Sequence, residues 1–323
     1  MVRFGYTLMT EQAGPNDLVR YAADAEAAGF DFEVSSDHFF PWLDSQGHAP
    51  NAWVTLGAVS QVTDAVELMT YVTCPTFRYH PVVVAQQAAT LQLLSQGRFT
   101  LGLGSGENLN EHVVGEGWPS VSVRHDMLVE AVEIISGLFT GEYLDYVGEH
   151  YRVDRARLYD VPDVRPPIGI AVSGKRSVSR FAPLADHMIA VQPEAELVRR
   201  WDRAGGSGRK IGQIPICWDP DREAAVRRAH DQFRWFGGGW KVNAELPGPP
   251  HFAAATGYVS EQDVAEGIPC GPDVEAIVEA VSAYWKAGFT DIALVQIGGD
   301  HQDAFFGFAE KELLPALREA SNS

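Results

Sequence analysis

Short β-type apolar runs alternate with longer runs of helical periodicity along the whole chain, and this alternation limits the fold more than any single motif does. Strands are expected at 3–8, 30–34, 66–72, 98–103, 167–172, 186–191, 211–218 and 291–297. Helices are expected at 16–28, 53–62, 81–94, 120–139, 195–204, 221–235, 273–287 and 303–318, with another opening after Gly174. Asn16 or Asp17 can cap the first of these, Gly29 ends it, Pro81 opens the third and Gly97 stops it. The early units repeat at about 30 residues each, the spacing of right-handed parallel strand–helix–strand units. Eight strands predict a closed (β/α)8 TIM barrel, and no linker divides residues 1–323. Two stretches break the repeat. After strand 4, residues 141–160 alternate as a hairpin around Gly148. After strand 7, residues 236–271 are irregular and rich in Gly and Pro, and we read them as a lid.

Such barrels keep their chemistry at the C-terminal ends of the strands. The second strand ends there in Ser36-Asp37-His38, with Pro41 stiffening the loop and Trp42 offering a flat wall. Asp37 is placed to set the tautomer of His38; a His at a strand end is equally often a hydrogen-bonded structural residue. The fourth strand runs into Gly102-Leu103-Gly104-Ser105-Gly106-Glu107-Asn108-Leu109-Asn110-Glu111. This is not a dinucleotide fingerprint, because the glycine spacing differs and Glu107 would face a pyrophosphate. The glycines are read as letting a flat ligand approach the backbone, and Glu107 either as a proton donor at the mouth or as a helix N-cap. After the fifth strand, Ser173-Gly174-Lys175-Arg176 opens a helix with exposed N–H groups and two cations, which suits a phosphate or a solvated helix start.

Composition excludes several classes. With 43 acidic against 25 basic residues the formal net charge is −18, which argues against general nucleic-acid binding. Three dispersed cysteines, Cys74, Cys217 and Cys270, form no metal-ligand or disulfide framework pattern. No apolar run reaches membrane-spanning length, so a membrane role is not expected and the cytoplasm is the expected compartment. No metal site is expected.

Four spaced stretches point one way: Ser36-Asp37-His38-Phe39-x-Pro41-Trp42, Gly47-His48-Ala49-Pro50, Pro75-Thr76-Phe77-Arg78-Tyr79-x-Pro81 and Gly104-x-Gly106-Glu107-x-Leu109-Asn110-Glu111. Together with Tyr159-Asp160-Val161-Pro162-Asp163 they resemble the luciferase-like superfamily, in its coenzyme F420-dependent branch. The likeness is densest from the first strand to about Ala190. It implies a luciferase-like barrel binding the deazaflavin coenzyme F420, with a non-proline cis peptide at Tyr71-Val72 in a third-strand bulge. It places Asp37 and His38 at the ring, Trp42 beside the reacting centre, Cys74 where the family has Thr, and Glu107 and Asn110 along the pyrimidine side. It places Ser173, Gly174 and Lys175 at the phosphate-bearing tail. His38 and Glu107 then serve as proton-handling residues for hydride transfer between the cofactor and an alcohol, lactol or carbonyl.

The glucose-6-phosphate dehydrogenases of this branch use two lysines and an arginine for the sugar phosphate. Here Gln192-Pro193-Glu194 and Val264-Ala265-Glu266-Gly267 stand in those places, so a neutral substrate is expected. Trp235, Phe236, Trp240 and Phe252 of the lid suit an apolar substrate or packing of the lid itself. The resemblance further implies a homodimer. Alternatives on the same barrel are an FMN-dependent monooxygenase, a non-catalytic deazaflavin- or flavin-binding protein, and a phosphate-binding isomerase without a redox cofactor.

Overall fold

In the computed structural model, which describes residues 1–322, the strands are β1 (Arg3–Leu8), β2 (Phe32–Ser35), β3 (Glu67–Thr70), β4 (Phe99–Leu103), β5 (Leu144–Val147), β6 (Arg152–Ala156), β7 (Ile168–Ala171), β8 (His187–Ile189), β9 (Lys210–Ile216) and β10 (Asp291–Gln296). Eight of them close a parallel barrel in the order β1-β10-β9-β8-β7-β4-β3-β2, and β5 with β6 forms the separate antiparallel hairpin. The first and last strands pair directly, Arg3 with Asp291 and Tyr6 with Leu294, so residues from the two ends of the chain meet in one ladder.

The side-chain alternation of a strand sorts residues between two cores. Phe4, Tyr6 and Leu8 of β1 point outward, into the layer shared with the surrounding helices. Phe32, Val34, Met69, Ile189, Ile211 and Ala293 fill the barrel itself. Below them, Arg3, Glu67, Arg209 and Asp291 close the N-terminal end as an ion cluster. Arg3 lies 2.8 Å from Glu67 and 2.5 Å from Asp291, and Arg209 also pairs with Glu67. Burial raises the pKa of Glu67, but bonds from Arg209 and Arg3 outweigh it and hold this carboxyl down at about 2. The end opposite the chemistry is therefore sealed by charge, and the open end is left for the site.

Most expected elements stand within two or three residues of their places; Pro81–Leu94 is helical as read. Three differ. The first helix, Pro15–Ala28, has Gly14 at its N-cap and Pro15 in its first turn, with no side-chain cap from Asn16 or Asp17. The last helix is interrupted by a π turn at Ala309–Leu313 between Gln302–Phe308 and Leu314–Ser321. The lid is ordered rather than irregular: Arg234–Gly238 is a 3-10 turn, and Trp240–Asn243, Pro249–Ala255 and Glu261–Gly267 are helices. Its glycines and prolines start and stop short helices, which a search for long periodic runs passes over. Among the described residues no helix is long and apolar enough to cross a membrane.

One buried acid has no place in this scheme. Glu33 alternates with Phe32 and Val34, so it points out of the barrel, under the helices; it is fully buried and neither carboxyl oxygen has a hydrogen-bond partner. Burial drives its pKa well above the ordinary 4.5. A carboxyl that binds its proton more tightly when folded costs stability progressively as pH rises above its unfolded value. Glu33→Gln removes that titration. The melting temperature of the variant should gain on the wild type as pH is raised above about 4.5. A difference that does not change with pH would contradict the assignment.

Candidate functional site

The loops that leave β1, β2, β3 and β4 at the C-terminal end assemble the site. His38 follows β2 and is 9% exposed. Its Nδ1 lies 3.2 Å from Glu11 Oε1 and 3.2 Å from the Phe40 carbonyl oxygen. Both are acceptors, so Nδ1 carries the proton and donates, and the lone pair is left on Nε2. Nε2 lies 3.4 Å from Glu107 Oε2. One imidazole thus stands between two carboxylates. Asp37 does not orient it, contrary to the reading from adjacency. At the end of β2 successive side chains diverge, and the fully buried Asp37 carboxylate accepts bonds from Thr73 Oγ1 at 2.6 Å and Tyr79 OH at 3.3 Å. Glu11 supplies the orientation from the loop after β1. Its Oε2 accepts from Ser36 Oγ at 2.5 Å and from Thr10 Oγ1 at 3.2 Å, which fixes the carboxylate against β2.

Glu107 stands at the N-cap position of the short helix Asn108–Glu111 but makes no side-chain cap bond. Its carboxyl turns to His38 and to the Asn110 amide, which donates to Oε2 at 3.0 Å. Burial raises its pKa, partly offset by His38. Asn110 is buried with both ends of its amide engaged, because Oδ1 accepts the Phe39 N–H at 2.8 Å. It therefore couples the loop after β2 to the loop after β4.

The third strand departs from the barrel ladder after Thr70. Thr70 Oγ1 donates to the Gly102 carbonyl at 2.9 Å and accepts the Gly102 N–H at 3.0 Å, standing in for backbone pairing. The chain bulges through Tyr71 and Val72, joined by a non-proline cis peptide as the resemblance implied. It rejoins at Thr73, whose N–H donates to the Gly102 carbonyl at 2.9 Å. Tyr71 and Val72 are half-buried beside the mouth. The glycines of β4 and its loop serve this bulge, whatever else they admit. A Cβ on Gly104 would stand 2.6 Å from Val72 Cγ2, and one on Gly106 would stand 2.5 Å from Cys74 Sγ. Cys74 is buried, 2.9 Å from Thr76 Oγ1, with its thiol pKa pushed up by burial.

Arg78 ties these loops together. Its guanidinium lies 3.1 Å from Asp37 Oδ1 and 3.5 Å from Glu111 Oε1, and donates to the Asp37 carbonyl at 2.6 Å. The Arg78 backbone N–H donates to Glu111 Oε2 at 3.0 Å. Burial raises the Glu111 pKa to about 7 despite this neighbour. Trp42 closes the other side. Its ring is 4.9 Å from that of His38 and stacks on Trp235 of the lid at 4.0 Å and 8°. Phe252 meets it edge-on at 5.1 Å. Trp235 and Phe252 are thus lid packing, whereas Phe236 is half-buried and Trp240 is 45% exposed.

Ser173 and Gly174 follow β7. Both backbone N–H groups donate to Ser177 Oγ, at 3.1 and 3.2 Å. Ser173, Lys175 and Arg176 are exposed. Among the described residues neither cation has a carboxylate within ion-pair distance. Gln192, Glu194 and Glu266 are exposed too. No group of three His, Cys, Asp or Glu side chains gathers as a metal site among the described residues. Sequence reasoning missed Glu11, Arg78 and Glu111 as parts of the site, Arg78 lying within a quoted motif without a role. Glu11 carried a weak signal, a lone acid directly after a first strand; Glu111 was within a quoted motif but given no role.

Removing Arg78 would leave Asp37 and Glu111 buried without their cation. Arg78→Met should lower the unfolding free energy by about 3–5 kcal/mol, the cost of breaking a buried pair by removing one partner. The double variant Arg78→Met with Asp37→Asn should recover part of that loss. Urea titration checks both, and a loss below about 1 kcal/mol would mean a solvated pair.

The sequence matches the luciferase-like monooxygenase family over residues 1–291. It is 33% identical to an F420-dependent glucose-6-phosphate dehydrogenase of Microbacterium testaceum, covering 98% of each chain. It is 32% identical to an F420-dependent hydroxymycolic acid dehydrogenase of Mycobacterium tuberculosis, covering 97% of this chain and 88% of that one. Among solved structures, an F420-dependent secondary alcohol dehydrogenase, determined with an F420-acetone adduct, superposes with a TM-score of 0.88 at 28% identity, over 98% of this chain and 99% of the other. On the family match and on identities above the 30% level across nearly the whole chain, this protein belongs to the luciferase-like family and falls with its F420-dependent dehydrogenases.

Proposed function

We propose that this protein is an F420-dependent oxidoreductase that interconverts a neutral alcohol or lactol and its carbonyl, with His38 and Glu107 handling the protons. The observation that carries the reading is the His38 ring held between Glu11 and Glu107, at 3.2 and 3.4 Å. When bound, coenzyme F420 supplies a ring carbon that accepts or donates a hydride. The residues present suit such a group. Tyr71 and Val72 give a half-buried ledge on a bulged strand, the Gly104–Gly106 loop projects no bulky side chain, and exposed Lys175 and Arg176 suit a phosphate-bearing tail by charge, the Ser173 and Gly174 N–H groups being taken by Ser177.

His38 Nε2 is the basic ring nitrogen, since Nδ1 is committed to Glu11 and the Phe40 carbonyl. In the oxidation direction it takes the hydroxyl proton of the substrate while hydride leaves the carbinol carbon. The Glu11 carboxylate stabilises the imidazolium that results. Glu107, whose pKa burial raises, delivers a proton on the cofactor side; Asn110 holds its carboxyl in place. Trp42, braced by Trp235, walls the reacting centre and excludes water from one side. In the reduction direction the proton transfers run in reverse. Gln192, Glu194 and Glu266 are exposed and none is a cation, so these positions offer a substrate phosphate no positive charge, which supports a neutral substrate. By the family resemblance alone we expect a homodimer, and the cytoplasm stays the expected compartment.

The test is anaerobic turnover of F420 across alcohols, sugars, sugar phosphates and the matching carbonyls. A neutral member should turn over, and glucose 6-phosphate should be a poor substrate. His38→Ala should lower kcat about 100- to 10,000-fold with F420 binding retained. In the oxidation direction kcat should fall as pH rises above about 4.5 through the raised Glu107 pKa, and Glu107→Gln should remove that limb of the profile. Undiminished turnover by His38→Ala would overturn the assigned roles.

A further inference from the structure

Beyond the site, two of the three cysteines are brought together at the root of the lid. Cys217 continues β9 past Ile216, at the rim of the barrel, and Cys270 is among the last residues of the segment that forms the lid. They pair directly in a parallel bridge. The Cys217 N–H donates to the Pro269 carbonyl at 2.8 Å, and the Gly271 N–H donates to the Cys217 carbonyl at 3.0 Å. Bonds on both sides of Cys270 fix the pairing at the spacing of neighbouring strands, about 4.8 Å. That lies within the Cα separation a disulfide spans, roughly 4.4–6.8 Å. The chain turns away at once, with Gly271 at φ +105° packed against Arg222. Both thiols are free, and the direct pairing sets the two side chains on the same face of the ladder.

Their surroundings differ. Cys217 is fully buried and directs its thiol to the Ala225 carbonyl at 3.2 Å. Cys270 is half-buried and open to a small reagent. Its pKa is lowered, first by the Cys217 thiol and then by Arg222 and Arg228, while that of Cys217 is raised. This is the division expected of an attacking thiol and a resolving one.

We propose that Cys217 and Cys270 form a reversible disulfide that fastens the base of the lid to the barrel rim. The oxidant is a low-molecular-weight disulfide. The Cys270 thiolate attacks one of its sulfurs and releases one thiol, leaving a mixed disulfide on Cys270. The Cys217 sulfur then attacks Cys270 and expels the second thiol, its own proton passing to solvent. Two protein thiols are oxidised and one external disulfide is reduced to two thiols. The bond closes the stretch that carries Trp235 and Phe252, the side chains that brace Trp42. Oxidation therefore restricts the lid without touching His38 or Glu107.

The test treats the reduced full-length protein with oxidised glutathione, alkylates it under native conditions and maps the peptides by mass. The wild type and Cys74→Ser should each lose two hydrogens and yield one cross-linked pair containing Cys217 and Cys270. Dithiothreitol should reverse this. Cys217→Ala should stop at the mixed disulfide on Cys270, and Cys270→Ser should not react at this pair. Trypsin should cut after exposed Lys241 severalfold more slowly in the oxidised wild type, a readout that a variant failing to fold could not imitate. A mixed disulfide on Cys270 that never closes in the wild type, a cross-link to Cys74, or no reaction short of unfolding would each overturn the proposal. None of these readouts depends on the identity of cofactor or substrate.

Discussion

The site depends on Arg78. A guanidinium buried between Asp37 and Glu111 joins three loops that would otherwise move independently. Asp37 immediately precedes His38, and Glu111 closes the turn that Glu107 opens. The distance between imidazole and carboxyl is therefore set by a cation that touches neither. Asn110 repeats the device with neutral groups, joining the Phe39 backbone to the Glu107 carboxyl. Charges taken out of water are costly: the Asp37 carboxylate is bonded by Thr73 and Tyr79, whereas Arg78 Nε and Glu111 Oε1 make no hydrogen bond. Here the return is positional: proton transfer requires partners held within hydrogen-bond reach.

Around that anchor the barrel divides its labour. The N-terminal end is sealed by Arg3, Glu67, Arg209 and Asp291, and the middle is filled by Phe32, Val34, Met69, Ile189, Ile211 and Ala293. Polar groups with chemical work are confined to the last turns of strands β1 to β4. The bulge after Thr70 breaks the ladder on that side, and glycines at 104 and 106 make room for it. The lid adds an apolar layer over Trp42. The result is a half-enclosed wall with one imidazole, its basic nitrogen turned towards a carboxyl whose pKa burial raises.

Much of this was legible in the sequence, for physical reasons. Strand and helix periodicities differ, so eight alternations gave the barrel, and the ends of β2 and β4 drew attention to His38 and Glu107. The partner of His38 was not legible. Adjacency favoured Asp37, but neighbouring residues at a strand end point apart, and the partner is Glu11, from the loop after the neighbouring strand β1. The glycine run was legible as a close approach, but not that the bulge of β3 was what approached. The lid was the poorest reading, because its helices are four to seven residues long and bounded by Gly and Pro, too short for periodicity to register. The pairing of Cys217 with Cys270 was invisible for the same reason as Glu11: it is made by tertiary contact alone.

The central claim is that this site is built for a deazaflavin and acts through it. The most direct measurement is equilibrium binding, following the fluorescence of stacked Trp42 and Trp235 while oxidised F420 and, separately, FMN are added. Saturable quenching by F420 and little response to FMN are expected. Preference for FMN, with oxygen consumed in the presence of its reduced form, would contradict it and place the protein with the monooxygenases of the same barrel.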